Sequence, residues 1–287
     1  MLKLLSTDPL CSFSALYLPL LFVPSRFFSG VHIFGFNNME NLKEQINTDN
    51  LPRHIAVIMD GNGRWAKKHG KPRVFGHQSG VKAVRETTEA AAELGIKYLT
   101  LYAFSTENWN RPKLEVNALM ALLVETIRKE VKTLNKNNIR LAAIGDLEKL
   151  PGKSQKALAK AIEDTAGNDR MTLVLALNYS AKWEIMNAVK TLAKEVESGK
   201  LNADDLDEKN FADALATKGM PDPELLIRTS GETRISNFLL WQIAYSELYF
   251  TPTFWPDFRK ADLYKAILDY QNRERRFGKI SEQLEKG

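Results

Sequence analysis

Short, nearly continuous apolar runs recur along the chain from residue 51 onwards. A run of about four to eight apolar residues without alternation is typical of a strand that is buried on both faces. The sequence therefore predicts buried strands at 54–59, 98–104, 139–144, 171–177 and 225–227.

Longer amphipathic stretches lie between these runs. In the stretch 114–134, apolar residues including Val116, Met120, Ile127 and Leu134 return at helical spacing. The same pattern predicts helices at 81–94, 155–166 and 183–197. Strands that alternate with helices indicate an α/β fold, with a mostly parallel sheet flanked by helices. Because no repeat and no Gly/Pro/Ser-rich linker interrupts residues 51–287, we predict a single domain there.

The first 38 residues depart from this pattern. Their only charged side chains are Lys3, Asp8 and Arg26, and their apolar stretch 15–23 is interrupted by Pro19. This stretch is far shorter than the about 20 residues of a membrane span. A signal peptide and a peripheral anchor are alternatives, but polar, ordinary composition begins at Met39. We predict that residues 1–38 are a dispensable or untranslated leader and 39–50 an N-terminal segment; an intact mass that includes Met1 would contradict this.

Composition excludes several classes of protein. A chain with 44% hydrophobic residues is not intrinsically disordered, and a single cysteine excludes a disulfide framework and a zinc site of paired thiolates. The net charge of +5 is compatible with an anionic ligand. It is too small to indicate nucleic acid by itself.

Candidate chemistry collects where predicted strands end, which is where ligands of parallel sheets bind. The strand at 54–59 runs into Asp-Gly-Asn-Gly-Arg-Trp at 60–65. The glycines allow close approach to a ligand, and a helix beginning near Arg64 would direct N–H groups at an anion. Asp60 could hold magnesium together with phosphate oxygens. The alternative is an ordinary Asp-Gly/Asn-Gly turn.

Two further strand ends carry similar side chains. The segment 104–112 contains a Trp and Arg111, and 226–237 contains Arg228 and Arg234 among small hydroxyl residues. The guanidinium group suits bidentate binding of phosphate. Arg73 and His77 contribute only if the fold brings them to the same place. Phosphate-binding chemistry is therefore predicted at three strand ends.

Two other motifs are set aside. The segment 145–154 has six residues between its glycines where a nucleotide P-loop has four, so we predict a turn with Ser154 capping the next helix. The acidic run 204–208 follows no strand and is predicted to be a solvated loop.

Several segments together resemble the cis-prenyltransferases, and among them the bacterial undecaprenyl diphosphate synthase (isoprenyl transferase) type. They are HIAVIMDGNGRWA at 54–66, Gly76-His77, FSTENWNRP at 104–112, LLIRTSGETRISNFLLWQIAYSELYF at 225–250 and NRERRFG at 272–278. The resemblance spans 51–278, with the motifs in the family's order. It implies successive cis condensations of isopentenyl diphosphate onto an allylic diphosphate such as farnesyl diphosphate, giving a long-chain polyprenyl diphosphate that carries cell-wall glycans.

The resemblance also implies a role for each matching residue. Asp60 would be the catalytic carboxylate and bind Mg²⁺, with Glu247 as the second metal ligand. Asn108 would be the proton acceptor; since an amide is a poor base, we expect it to orient a group while a carboxylate or phosphate oxygen takes the proton. The residues implied for the allylic diphosphate are Gly61, Asn62, Gly63, Arg64, Trp65, Arg73 and His77. Those implied to line the site are Ser105, Thr106, Glu107, Trp109 and Arg111. Those implied for isopentenyl diphosphate are Arg228, Arg234, Ile235 and Ser236.

Further expectations follow from this resemblance. It implies a homodimer, located in the cytoplasm, that touches the membrane surface when its product leaves. The helix at 114–134 and the strand at 171–177 could wall a hydrophobic tunnel, although plain core packing explains the same pattern. A non-catalytic partner subunit is the alternative, but such subunits lack the Asp-Gly-Asn-Gly-Arg segment that this chain keeps. No aromatic-basic motif supports a nucleic-acid-binding protein.

Overall fold

The computed structural model describes residues 40–275, so the predicted leader at 1–38 lies outside the described residues. Six parallel strands form one sheet in the order β3-β4-β2-β1-β5-β6. The strands are β1 (His54–Ile58), β2 (Tyr98–Ser105), β3 (Ile139–Ile144), β4 (Met171–Tyr179), β5 (Leu225–Arg228) and β6 (Glu247–Phe250). All five residues of β1 are buried, as the continuous apolar run predicts. The predicted strands and the parallel α/β class are confirmed, whereas β6 was not predicted because its four residues are only half-buried.

The principal helices join and cover these strands. They are α1 (Asn62–Lys68), α2 (Arg73–Leu94), α3 (Lys113–Lys136), α4 (Gly152–Asp164), α5 (Ala181–Glu197), α6 (Glu208–Ala214) and α7 (Lys260–Gln271). The four predicted helices are present, as α2 to α5. The sequence pattern predicted neither α6 nor α7, and α1 begins two residues before Arg64.

Two helix starts differ from the sequence expectation. Helix α2 begins at Arg73, eight residues before the predicted start at 81, because its early glycines are helical rather than turn residues. A Cβ atom at Gly76 would lie 2.0 Å from the Asn62 carbonyl oxygen, so glycine lets α2 pack closely on α1. The prediction that Ser154 caps α4 is wrong: the helix begins at Gly152 after Pro151, and Ser154 is buried in its first turn.

Alternate residues of the strands divide the interior between two faces of the sheet. Ile55 and Val57 belong to the larger core, beneath α2, α3, α4 and α7. Ala56 and Ile58 belong to the smaller core, where Phe238 and the start of α5 cover the sheet. This alternation is what a strand covered on both faces requires.

A cavity of about 340 Å³ lies on the larger-core face, between α2, α3 and the sheet. Its apolar wall includes Met120, Ile127 and Leu134 of α3 and Leu173 and Leu175 of β4. An apolar cavity therefore lies where the tunnel was predicted. Core packing, the alternative explanation, also applies to part of α3, because Met120, Ile127 and Leu134 are buried in the larger core as well.

Candidate active site

The ends of three strands meet at one edge of the sheet. Strands β2, β1 and β5 are neighbours and run parallel, so the segments that follow them emerge side by side. The cavity opens beneath this edge, where Asp60, Asn108, Arg111, Arg228 and Ser236 line it. The structure thus brings the three chemistry-bearing segments of the sequence together around one opening, which we call the mouth.

Asp60 lies at the mouth, two residues after the end of β1. Its Oδ1 accepts a 2.6 Å hydrogen bond from the Gly61 N–H, and its Oδ2 accepts one of 2.9 Å from Arg228 Nη2. Arg64 Nη2 lies 3.2 Å from the same Oδ2. Burial alone would raise the pKa of Asp60, but the Arg228 and Gly61 hydrogen bonds and the two guanidinium charges outweigh it and hold the pKa below its ordinary value. Asp60 is therefore ionised at neutral pH.

Arg228 links Asp60 to the loop between β5 and β6. Its side chain is 3% exposed. Nη1 donates to Ser236 Oγ at 2.7 Å and to the carbonyl oxygen of Arg234. Its Nε has no hydrogen-bond partner among the described residues. A buried guanidinium with an unused donor is suited to receive an anionic oxygen.

Arginines outnumber carboxylates at the mouth. Five arginines share three carboxylates: Arg228 and Arg64 contact Asp60, Arg64 and Arg234 contact Glu232, and Arg73 and Arg111 contact Glu115. Glu107, on the turn after β2, is a fourth carboxylate at this opening, so the arginines exceed the carboxylates by one positive charge. The surplus favours a diphosphate rather than a neutral ligand.

Glu115 and Glu232 were not singled out by the sequence reasoning. Glu115 Oε1 accepts from Arg111 at 3.1 Å, and Arg73 Nε lies 3.3 Å from its Oε2. Arg111 and Glu115 are four residues apart, but Arg111 precedes Pro112 and the start of α3, so helical spacing does not reveal this pair. Glu232 lies two residues before Arg234, and no spacing in the sequence reveals its 2.8 Å contact with Arg64.

The Gly-Asn-Gly segment fits tightly against its surroundings. Gly61 has φ +102°, and a Cβ atom there would lie 2.8 Å from Ser230 Oγ. At Gly63 a Cβ atom would lie 2.8 Å from Arg73 Cζ. Side chains at either position would displace residues of the mouth. The close approach of the backbone that these glycines permit is here made to neighbouring residues of the site.

Asn62 and Trp65 make contacts that hold α1 in place, and Asn62 also lines the cavity. The Asn62 amide donates to the Met59 carbonyl oxygen at 3.2 Å, and its Oδ1 has no hydrogen-bond partner in the described part of the chain. Trp65 Nε1 donates to Asp257 Oδ1 at 2.8 Å, and its ring stacks on Phe75.

His77 lies on α2 and lines the cavity beside the arginines. Burial, reinforced by the charges of Arg111 and Arg73 against the opposing charge of Glu115, lowers the pKa of His77 to about 4. Its Nε2 finds no hydrogen-bond partner within residues 40–275. A neutral imidazole with a free ring nitrogen is therefore available to a ligand at neutral pH.

The turn after β2 is held by its own side chains. Asn108 Oδ1 accepts from the Ser105 backbone N–H at 3.2 Å, and both residues line the cavity. Glu107 Oε1 accepts from Asn237 Nδ2 at 2.8 Å, which ties this turn to the loop after β5. Burial would raise the pKa of Glu107, but the Asn237 hydrogen bond holds it below its ordinary value. Thr106 donates to Glu107, and Trp109 Nε1 donates to Asn178 Oδ1 at 2.7 Å.

The loop after β5 is conformationally strained. Ser230, Ser236, Asn237 and Leu239 have φ values of +80°, +49°, +59° and +48°. Each non-glycine residue in this region costs roughly 1–2 kcal/mol. Strain of this kind clusters at ligand sites because surrounding contacts hold it in place. Ile235 packs against the smaller core between these residues.

Glu247 is not brought to Asp60 within the chain. Leu225 is level with both Ile55 and Glu247, so Glu247 lies at the amino end of the sheet while Asp60 follows its carboxyl end. Five residues separate 55 from 60, which corresponds to about 17 Å at about 3.3 Å per strand residue. Glu247 instead contacts Arg273 Nη1 at 2.9 Å. Within one chain the two carboxylates therefore lie at opposite ends of the sheet, and the role of Glu247 as the second metal ligand stays a prediction.

The residues at the mouth fit a magnesium ion that is held by one carboxylate together with oxygens of the substrate. No group of three or more His, Cys, Asp or Glu side chains converges within residues 40–275. Magnesium is commonly held by one or two carboxylates with phosphate oxygens and water. Asp60 is ionised, and its Oδ1 accepts only one N–H, which leaves a lone pair available. The donor set suits an ion that arrives with a diphosphate.

Comparison with known proteins identifies the family. Residues 58–278 match a family model described as "Putative undecaprenyl diphosphate synthase". The chain belongs to the undecaprenyl diphosphate synthase family, that is, to the cis-prenyltransferases. This match covers the strand ends, the arginines of the mouth and the cavity together, and it confirms the resemblance that the motifs carried.

Curated members of the family share more than half of the aligned residues with this chain. The isoprenyl transferase of Clostridium perfringens is 55% identical over 232 residues, which are 81% of this chain and 92% of that protein. The ditrans,polycis-undecaprenyl-diphosphate synthase ((2E,6E)-farnesyl-diphosphate specific) of Vibrio vulnificus is 53% identical over 240 residues, 84% of this chain and 96% of that protein.

Solved structures of cis-prenyltransferases share the fold. Lavandulyl diphosphate synthase from Lavandula x intermedia, in complex with dimethylallyl diphosphate, superimposes with a TM-score of 0.78 at 41% identity, over 80% of this chain and 99% of that one. A probable undecaprenyl diphosphate synthase from Campylobacter jejuni gives a TM-score of 0.66 at 38% identity, over 80% and 100%.

Proposed function

We propose that this cis-prenyltransferase adds isopentenyl diphosphate in successive cis condensations to an allylic diphosphate, with farnesyl diphosphate as the primer. In each round a carbon–carbon bond forms, the carbon–oxygen bond to the allylic diphosphate breaks, and the product loses a proton. The proposed product is a long-chain polyprenyl diphosphate of the undecaprenyl type, a lipid carrier for cell-wall glycans. The names of the Vibrio vulnificus and Clostridium perfringens relatives support this assignment.

One observation carries the proposal: the cavity combines a cationic mouth with an apolar wall. Asp60, Arg111 and Arg228 line one part of it, and leucines of α3 and β4 line the remainder. A prenyl diphosphate has the same division, with an anionic head and a hydrocarbon tail. Burial of that tail favours binding by about 25 cal/mol per Å² of apolar surface removed from water.

We propose that the arginines of the mouth stabilise the charge that develops on the departing diphosphate. Arg228, which is buried and has a free Nε, and the surplus of positive charge around it act in a poorly hydrated site, where charge stabilisation is strongest. Asp60 would hold Mg²⁺ together with diphosphate oxygens. When bound, that ion would supply further neutralisation of the leaving group. Neutral His77 would offer its Nε2 to a phosphate oxygen or its hydroxyl.

For the proton, we propose that Asn108 orients a group and that a carboxylate or phosphate oxygen accepts. Its amide is engaged with the Ser105 backbone, so it fixes the turn that follows β2. An amide oxygen is too weakly basic to hold a proton near neutral pH. Ser105, beside it in the lining, is placed to hydrogen-bond the substrate.

The decisive experiment incubates the protein with farnesyl diphosphate, magnesium and labelled isopentenyl diphosphate and resolves products by chain length. We expect long products, and we expect Asp60→Ala to lower incorporation by at least about 10³-fold, the scale of a lost transition-state contact. Asp164→Ala, at an exposed aspartate of α4 that pairs with Lys160, is the matched control. An Asp60→Ala variant that keeps a tenth of the wild-type rate would refute the assignment.

We propose a homodimer that uses the outer surface of α5 and the neighbouring loop. Met186 and Val189 of α5 are exposed, and so are Trp241 and Tyr245, with the Trp241 ring against Phe211 of α6. Exposed apolar side chains of this number in one region favour an interface. Sedimentation equilibrium should give twice the chain mass, and a monomer at micromolar concentration would contradict it.

We propose that the protein works in the cytoplasm and touches the membrane through the rim of the mouth. No helix in the described range 40–275 is long and apolar enough to span a bilayer. Phe75 and Leu114 are exposed beside the mouth, and Lys71 lies 5.8 Å above the Phe75 ring. Apolar and basic side chains together suit an anionic lipid surface. Phe75→Ser/Leu114→Ser should lose binding to anionic vesicles; unchanged co-sedimentation would contradict the proposal.

A further inference from the structure

One charged side chain interrupts the apolar wall of the cavity. Asp60, Arg111 and Arg228 belong to the mouth, but Glu130 lines the cavity farther along α3, near Ile127 and Leu134. Its side chain is 16% exposed. A carboxylate beside a hydrocarbon site is costly unless it is paired, so its partner is informative.

Glu130 pairs with Arg85 of the neighbouring helix α2. Arg85 Nε donates to Glu130 Oε2 at 3.1 Å, and Arg85 Nη2 donates to Oε1, which makes the pair bidentate. The Arg85 side chain is 51% exposed. The pair therefore spans the wall, with its carboxylate at the cavity and its guanidinium at the solvent.

A second ion pair joins the same helices at the mouth. Arg73 of α2 contacts Glu115 of α3 at 3.3 Å. From Arg73 to Arg85 is 12 residues and from Glu115 to Glu130 is 15, or about 18 Å and 22 Å of helix at 1.5 Å per residue. The two helices thus run side by side between the two pairs. We call the line of contact between them the seam.

The seam between the pairs is apolar. Val81 and Val84 of α2 and Leu119 and Leu123 of α3 line the cavity there. These apolar side chains can separate at little free-energy cost when a hydrocarbon chain enters between them. The hydrocarbon then makes the apolar contacts that the side chains of the two helices lose with each other. The Arg85–Glu130 pair differs, because a hydrocarbon cannot replace its hydrogen bonds, whereas water can once the pair opens to solvent.

The structure assigns to the Arg85–Glu130 pair the role of a latch: it closes the seam between α2 and α3 and sets the product length at which the growing tail leaves the cavity sideways. The inference rests on the proposed function, because it concerns the tail of a lengthening prenyl chain. Arg85 and Glu130 are thus specificity-determining residues rather than catalytic ones. An ordinary exposed ion pair would contribute little to stability and would leave product length unchanged.

The first test compares product lengths made by latch variants with farnesyl diphosphate, magnesium and labelled isopentenyl diphosphate. Arg85→Ala should lengthen the most abundant product by at least one five-carbon unit, because an open seam lets the tail slide out while elongation continues. Arg85→Glu/Glu130→Arg restores the pair and should restore the wild-type length. The control is Lys129→Ala, which breaks an exposed pair with Glu125 within α3. Product lengths that are the same in all four proteins would overturn the inference.

A second test closes the seam in a single folded protein. Arg85→Cys/Glu130→Cys, made with Cys11→Ser to remove the native thiol, is joined by a short cleavable bis-maleimide. The joined protein should make shorter products than the same protein after cleavage; identical products would overturn the inference. Failure of the proposed function is distinguishable, because the wild-type enzyme would then make no polyprenyl product at all.

Discussion

On one face of the sheet, α2 and α3 stand apart from the strands around a cavity; on the other, α5 and the rings of Tyr102, Tyr179 and Phe238 fill the space. Each face also has a carboxylate, half-buried in one case and fully buried in the other. Asp60 lies at the mouth of the cavity, and Glu184 lies on α5 beneath the loops of the filled face. The partners and pKa shifts of these two carboxylates differ, and the difference indicates the role of each face.

Glu184 is surrounded by neutral donors. Its Oε2 accepts from Tyr179 at 2.6 Å and from Gln242 at 3.0 Å, and its Oε1 accepts from the Ala216 N–H at 3.1 Å. Burial raises the pKa of Glu184, and the three hydrogen bonds only partly oppose it. Asp60 has guanidinium partners instead, and its pKa is lowered. The filled face therefore uses a carboxylate to fasten loops, whereas the open face keeps one charged for chemistry.

The largest effect that tests this contrast is the loss of Arg228. Arg228→Ala would leave Asp60 without its 2.9 Å hydrogen bond and the diphosphate without a buried donor. Breaking a buried, hydrogen-bonded charge pair costs about 2–5 kcal/mol, so kcat/KM should fall by about 10² to 10³-fold. Arg228→Lys keeps the charge but not the fork and should recover only part of the rate.

Steady-state incorporation of labelled isopentenyl diphosphate measures this effect. Arg140→Lys is the matched control, since Arg140 is an exposed arginine of β3 whose Nε donates to the Asn168 carbonyl oxygen, away from the mouth. If Arg228→Ala kept a kcat/KM near that of the wild type, catalysis at the mouth would not depend on the buried guanidinium group. The proposed difference between the two faces would then be contradicted.

A smaller effect is expected from filling the cavity. Leu175 lies on the wall, so Leu175→Trp should place an indole where the tail would extend and shift products to shorter chains while the first condensations continue. Overpacking typically costs about 1–3 kcal/mol, so the unfolding temperature should be followed in parallel. Val174→Leu is the control, because Val174 faces the filled side of the same strand.

Product analysis by chain length separates the two outcomes. Shortened products in Leu175→Trp alone would support a tail site on one face only. If Val174→Leu shortened products to the same degree at equal stability, the faces would not differ in the way the cavity indicates.

Much of this arrangement could be predicted from the sequence. Continuous apolar runs placed β1 to β5, and motif matching selected Asp60, Arg111 and Arg228 before any geometry was known. Strand ends can be predicted to meet because parallel strands share an edge. The apolar period of α3 indicated a buried helix, yet periodicity is the same for a helix against a solid core and for one that lines a cavity.

The rest depends on contacts between distant segments. Glu232 reaches Arg64 across 168 residues, and no local pattern encodes that approach. The start of α2 was missed because Gly76 is typical of turns but here permits close helix packing. Glu247 was predicted as a metal ligand from its motif, and a motif does not indicate at which end of the sheet a residue lies. Arg85 and Glu130 belong to no motif and become informative only beside the cavity.

The smallest expected effect is in how stability depends on pH, and here the two carboxylates should have opposite signs. The pKa of Asp60 is below its ordinary value of 3.8 in the folded chain, so its contribution is present above that pH and is lost as pH falls through the folded value. The pKa of Glu184 is above its ordinary value of 4.5, so its contribution is present below 4.5 and is lost as pH rises through the folded value.

Urea unfolding of the wild type and Glu184→Gln over about pH 4.5 to 8 measures the second contribution. Because the variant cannot ionise at this position, the stability difference, wild type minus variant, should decrease as pH rises. With Asp60→Asn the corresponding difference should instead decrease as pH falls below about 3.8. A Glu184 difference that stays level or grows with pH would mean that the carboxylate is ionised at little cost on the filled face. Glu184 would then be a charged group like Asp60, and the two faces would differ only in the presence of the cavity.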